Sequence, residues 1–293
     1  MLPPERPLPC PFSAGDSRPG FAVPPGTCDC HMHFFSDAAK PVPGAVVTPP
    51  EATLAHYRRL QARLGTSRYV IVQPSTYGLD NRLVLAALAE SGGNARGIAV
   101  VDDRVAPGTL ARMHDAGVRG VRFNLVQHGA TTAAMLEPVA QAIAPLGWHV
   151  QIHVPQSDLI ALAPRLHKLG VPVVIDHFGR LMEHPELAPQ TFDCIRQLLG
   201  SGTGWLKLSG AYIAARHGRY EGLDPYVRCL AAECPDRLLW GSDWPHATET
   251  AKPDDAALMD LLLRWLPDAS ARHAVLVRNP EALYGFERQA AGS

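Results

Sequence analysis

The stretch Cys28-Asp29-Cys30-His31-Met32-His33 decides how this chain is read. It is a short apolar run of the strand type, and it ends in imidazoles. Residues i and i+2 of a strand point to one side, so His31 and His33 can aim at one point, which adjacent residues could not do. An open doubly wound sheet would carry a glycine-rich phosphate loop after such a strand, and here His-Met-His-Phe-Phe contains no glycine. Seven further β-rich runs follow: Tyr69 to Gln73, Gly97 to Val101, Gly117 to Phe123, Trp148 to Val154, Val171 to His177, Trp205 to Ser209 and Leu238 to Ser242. Between them lie stretches of helical spacing: Glu51 to Leu64, Asn81 to Ser91, Ala106 to Ala116, Ala133 to Leu146, Asp158 to Leu169, Ala188 to Leu199, Asp224 to Ala232 and Asp254 to Trp265. Gly65, Gly92, Gly117, Gly147, Gly170 and Gly200 mark expected helix ends. From His33 to Asp243 the strand ends recur on average every 30 residues, the size of one strand-helix unit. Eight such units predict an α/β fold, a closed (β/α)8 TIM barrel, over residues 27–293, with closing helices at Ala269 to Val277 and Pro280 to Tyr284. Residues 1–26 hold eight prolines and no period of either kind, and read as an extended arm on a single domain.

Composition narrows the function. The chain has 293 residues, 46% of them hydrophobic, enough to bury a large core. Its 27 Lys and Arg against 28 Asp and Glu give a net charge of -1, which supplies no field to gather nucleic acid or an anionic membrane. No apolar run is long enough to span a bilayer, and the N-terminus lacks a secretory pattern, so a cytoplasmic protein is expected. Six scattered cysteines read as reduced thiols packed as small hydrophobes. The partner expected is a small molecule, and a homo-oligomer is compatible with the reading.

In a barrel, chemistry gathers at the C-terminal strand ends. Four of those ends carry His31-x-His33, Gln151-Ile-His153, Ile175-Asp176-His177 and Gly241-Ser242-Asp243-Trp244. His31, His33, His153 and Asp243 form a plausible N/O ligand set for one divalent ion, zinc or manganese. His177 falls in reach as a base or oxyanion holder, with Asp243 as proton carrier. Without a metal, the same residues still supply a carboxylate base and polarising imidazoles.

The chain resembles the amidohydrolase superfamily, in its amidohydrolase-2 branch. The residues that carry the likeness are Asp29-x-His31-x-His33, Asp176-His177-x-Gly179-Arg180, Gly241-Ser242-Asp243-Trp244-Pro245-His246 and Asn279-Pro280-Glu281-x-Leu283-Tyr284. Within the branch, Gln73-Pro-Ser-x-Tyr-Gly-x-Asp80-Asn81, Gly120-Val-Arg122-Phe-Asn124 and Lys207-Leu-Ser209-Gly are similar to the 2-pyrone-4,6-dicarboxylate lactonase group and its sugar-acid lactone relatives. The resemblance implies hydrolysis of a small carboxylated lactone. The binuclear members' carboxylated lysine has no counterpart, because the fourth strand ends in Arg122-Phe-Asn124, so at most one metal is expected. Some lactonases of the group work without metal and lack the fifth-strand histidine; His153 favours retaining one here. Related galactarolactone isomerases tend to replace the first histidine and the late aspartate, whereas His31 and Asp243 stand. The alternatives are lactone isomerisation, non-oxidative decarboxylation, or a catalytically dead barrel. Arg122, Arg180 and Lys207 could grip carboxylates, Ser75 and Tyr77 could donate to substrate oxygens, and His246 joins the substrate-binding set. The arginine often found after the seventh-strand Ser-Gly is absent until Arg216.

Overall fold

The computed structural model describes residues 9–127, 129–215 and 220–287, so Arg216 lies outside the described residues. Eight parallel strands pair in sequence order: β1 (Cys28–Met32), β2 (Arg68–Val72), β3 (Ala95–Ala99), β4 (Val118–Asn124), β5 (His149–His153), β6 (Val173–Ile175), β7 (Gly204–Leu208) and β8 (Leu238–Trp240). Parallel neighbours need crossovers. These hold α1 (Leu54–Leu64), α2 (Arg82–Ala89), α3 (Pro107–Asp115), α4 (Leu136–Ile143), α5 (Gln156–Leu166), α6 (Ala188–Gly200), the short α7 (Ala211–Ala214) and α8 (Asp224–Glu233). After β8 come α9 (Asp255–Trp265), α10 (Ala269–His273) and α11 (Asn279–Tyr284). The chain folds as a (β/α)8 barrel, and every expected strand run overlaps an observed strand, with β3 beginning two residues early. Five of the six expected glycines take positive φ; Gly200 instead ends α6, and Gly202 turns the chain at φ 82°. Among the described residues no helix is long and apolar enough to cross a membrane.

Alternation along the strands divides the buried side chains. Cys28, Cys30, Val70, Val72, Ile98, Val174, Trp205 and Leu239 cluster with Tyr284 and Phe286. Tyr69, Ile71, Val121, Phe123, Val150, Ile152, Leu206 and Leu208 join the larger core that includes the helices' apolar stripes. All six thiols are free, and Cys28 and Cys30 are wholly buried. Residues 9–26 contain no helix or strand, yet they are tied to the barrel. Pro11 O accepts from Trp244 Nε1 at 2.8 Å, and Arg63 donates to Ala14 O, Gly15 O and Ser13 Oγ while pairing with Asp254 at 2.9 Å.

Two local departures position the site. Between Asp29 and Met32, β1 advances three residues while β2 advances two, a bulge that re-aims the strand just before its histidines. The barrel then closes through the segment after β8 rather than through β8 alone. Asp243 N donates to His31 O and His33 N to Trp244 O, each at 2.8 Å. Asp29 completes the seam, accepting from His31 N, Ser242 N, Ser242 Oγ and Tyr57 Oη at 2.6–3.1 Å. Burial outweighs these donors and pushes the Asp29 carboxyl up to about 6. Gly241 is required at this seam, since a Cβ there would stand 2.8 Å from His31 N.

Candidate active site

Asp243 and His177 lie beyond their strands. β6 stops at Ile175 and β8 at Trp240, shorter than the sequence pattern suggests, because both chains turn early into left-handed backbone. Asp243 has φ 65°; the following proline restrains Trp244, and Asp243 is one position too far back to feel it. His177, Phe178 and Arg180 have φ of 52°, 54° and 56°. Such conformations cost of order 1–3 kcal/mol each and cluster where a site demands them. Gly210 lets His177 in: a Cβ there would sit 2.7 Å from its Nδ1.

Three atoms converge at the barrel mouth. His31 Nε2 and His33 Nε2 are 3.3 Å apart, and Asp243 Oδ1 lies 3.5 Å from the first and 3.4 Å from the second. Outer partners orient both rings. His33 Nδ1 meets Val72 O at 2.8 Å, so it carries the hydrogen. His31 Nδ1 faces Asp176 Oδ1 at 3.2 Å. When Nδ1 carries the hydrogen in His31 as it does in His33, each imidazole turns the lone pair of Nε2 towards a carboxylate oxygen; Lys207 Nζ, 3.3 Å from His31 Nδ1, competes for that position. Three electron-rich atoms this close repel unless a cation sits among them. Ligands bound tetrahedrally at about 2.0–2.2 Å stand about 3.3–3.6 Å apart, so the residues fit a zinc-like ion.

The charge states suit that role. Burial lowers the basicity of His31 against the pull of Asp176, that of His153 with help from His177, and that of His177 against the pull of Asp243, which keeps the imidazoles neutral. Burial would raise Asp243, but His177, His33 and His31 outweigh it and hold the carboxyl well below the usual range. His177 Nε2 lies 4.0 Å from Asp243 Oδ1, and Ser209 Oγ meets its Nδ1 at 3.1 Å. Ligating atoms of His31, His177 and Asp243 lie within 4.8 Å of one another.

Above the cluster is a cleft of about 80 Å³ whose wall includes His33, Ser75, Thr76, Arg122, Asn124, Gln127, His153, His177, Asp243 and Thr248. Ser75 accepts from Asn124 Nδ2 at 2.7 Å. Arg122 reaches the wall while its Nε leans on Asp176 at 3.4 Å. His153, expected as a ligand, stands one step outward: its ring centroid is 4.8 Å from that of His177, and its Nε2 faces Arg180 Nη1 at 3.1 Å. Four other expectations need correction. Lys207 has no exposed surface; it sits beneath the histidines, donating to Gln151 Oε1 at 2.6 Å and 3.5 Å from Asp176. Arg180 is held by both oxygens of Glu183 at 2.5–2.6 Å, behind His153. Tyr77 is buried with its hydroxyl on Ser36 N. His246 is buried behind Tyr212. Asn124 was missed as a wall residue, although its i+2 spacing from Arg122 signals a shared face. Tyr212, whose hydroxyl donates to Asp243 Oδ2 at 2.6 Å, had no signal, since its helix follows the strand rather than continuing it.

The amidohydrolase family profile matches residues 28–286. The chain is 36% identical to the 2-pyrone-4,6-dicarboxylate hydrolase of Comamonas testosteroni, over 92% of this chain and 94% of that one. It is 34% identical to the D-galactarolactone isomerase of Agrobacterium fabrum (strain C58), over 92% of this chain and 94% of the relative. An apo crystal structure from Agrobacterium tumefaciens superposes with a TM-score of 0.84 at 32% identity, covering 92% of this chain and all of the other.

Proposed function

This chain belongs to the amidohydrolase family, and from that premise we propose that it opens a small carboxylated lactone by hydrolysis in the cytoplasm, where its six thiols stay reduced. The observation that carries the reading is the convergence of His31 Nε2, His33 Nε2 and Asp243 Oδ1 at the floor of a cleft whose wall holds the Arg122 guanidinium. His31, His33 and Asp243 would hold one divalent ion, zinc or manganese, with His153 one ring further out beside His177. Such an ion polarises the lactone carbonyl and acidifies water.

The chain's own groups supply the rest. Arg122 pairs with a substrate carboxylate, and the Ser75–Asn124 pair donates to ring oxygens. His177, neutral and backed by Ser209, takes the proton of the attacking water or donates to the developing oxyanion. As the carbonyl carbon gains the water oxygen, the ring C–O bond breaks; Asp243 takes the water proton, directly or from His177 Nε2 4.0 Å away, and delivers it to the departing oxygen. Net hydrolysis yields a second carboxylate and releases acid. His31 and Asp243 together support hydrolysis over isomerisation, since both proton handling and cation holding need them.

The test is a panel that includes 2-pyrone-4,6-dicarboxylate and D-galactarolactone, assayed with a pH indicator, with and without chelator, and with products identified by NMR. Acid release with an opened chain supports the reading. An isomeric lactone without acid, or carbon dioxide, would replace it with isomerisation or decarboxylation.

A further inference from the structure

We propose that Tyr212, His246 and Asp255 form a positioning chain behind Asp243, fixing its Oδ2 so that Oδ1 faces the reacting centre. The proposal rests on the hydrolytic reading for Asp243 and goes beyond it to residues that touch no substrate. Three separate segments build a line that ends on one carboxylate: Tyr212 from α7, His246 from the turn after β8, and Asp255 from the first turn of α9. Asp243 Oδ2 accepts from Tyr212 Oη at 2.6 Å, Tyr212 Oη meets His246 Nδ1 at 2.9 Å, and His246 Nε2 meets Asp255 Oδ2 at 3.1 Å.

Donor accounting gives the chain its direction. A hydroxyl has one hydrogen. Tyr212 spends it on Asp243, so its oxygen must accept from His246 Nδ1–H. A proton between Nε2 and Asp255 Oδ2, whichever atom holds it, completes an unbroken line. His246 and Asp255 are fully buried, and Asp255 Oδ1 has no hydrogen-bond partner among the described residues. The carboxyl is not needed to cap α9, because Asp254 does that through Ala256 N at 2.9 Å. A buried imidazole-carboxylate pair is a poor way to gain stability alone, since apolar side chains of similar volume often serve as well. The base of the chain is braced: Ser13 Oγ accepts from Asp255 N, and Lys252 Nζ donates to His246 O at 2.7 Å.

The experiment combines kinetics with crystallography. Tyr212→Phe keeps the ring and removes one hydroxyl, and is expected to lower kcat about 10- to 100-fold with KM within about threefold, the pattern of a lost transition-state alignment. His246→Leu should match it, while His246→Asn, which keeps a donor at the Nδ1 position, should recover most of the rate. Asp255→Asn should cost about 3- to 10-fold, and adding it to Tyr212→Phe should cost little more, since residues of one chain are non-additive. The crystal structure of Tyr212→Phe should show the Asp243 carboxylate turned from its place. Additive losses, an effect on KM alone, or an unmoved carboxylate with full activity would overturn the chain while leaving hydrolysis standing. Full activity in Asp243→Asn would instead defeat the hydrolytic reading itself.

Discussion

Two polar layers lie inside this barrel two residues apart along the strands, and they differ in how their charges are paired. In the lower layer Lys207 donates to Gln151, Gln151 Nε2 donates to Asp176 Oδ2 at 2.9 Å, and Asp176 faces both His31 Nδ1 and Arg122. Each charge there has an opposite neighbour. In the upper layer, two positions on, stand Ser209, His153 and Asn124, joined by His33 just past β1 and by Asp243 from the closing seam. There two imidazole Nε2 atoms and a carboxylate oxygen converge, and the His31 tautomer decides whether a hydrogen lies between the rings. The proposed chemistry belongs to the upper layer, with the lower layer behind it bracing His31 and Arg122.

The variant that most sharply separates the layers is Asp243→Asn. It keeps shape and hydrogen-bond reach, and should lower kcat by about 10²- to 10⁴-fold with an unchanged melting transition. A large drop in Tm with little kinetic loss would move Asp243 to the supporting layer. Asp176→Asn tests that supporting layer. Loss of the acceptor behind His31 should weaken zinc or manganese retention about 10- to 100-fold, read by metal analysis after dialysis, because outer partners of a ligating histidine have effects of that size. Arg122→Met, on the wall, should raise KM for a carboxylated lactone about 10-fold or more with a smaller change in kcat, since charge-assisted bonds to a carboxylate contribute about 1.5–3 kcal/mol.

The next effect is on stability. Burial lowers His149, at the inner end of β5, to about 3, so it stays neutral in the fold. In the unfolded chain an ordinary histidine binds a proton near pH 6.5. Between those values the unfolded state holds more protons, so stability falls as pH drops through that window, by about 1.4 kcal/mol per pH unit for this one group. Urea midpoints from pH 7 to pH 4 should fall more steeply for wild type than for His149→Phe. Equal slopes would contradict the burial argument. The smallest effect expected is that of Lys207→Met on KM, which should be none, whatever it does to stability. A raised KM would return Lys207 to the cleft.

Much of this was legible beforehand, for a definite reason. Strand periodicity reports which face of the sheet a residue occupies, and so His31, His33 and Arg122 were found. It does not report depth, and so Lys207 was assigned to the cleft although it lies one layer below. Local spacing also cannot foresee a seam. The closure of β1 on Asp243–Trp244, the β1 bulge and the left-handed turn at Asp243 arise only when the ends of the barrel meet. Tyr212 and Asp255 act through residues far away in sequence, and no pattern around them marks it.

The proposed hydrolysis adds water to a lactone at the His31–His33–Asp243 cluster. Turnover of a carboxylated lactone in oxygen-18 water, with the product weighed by mass spectrometry, reads this addition out. One labelled oxygen is expected in the new carboxylate, formed by the wild-type protein and not by Asp243→Asn. Product free of label, or equal labelling by the folded Asp243→Asn variant, would contradict it.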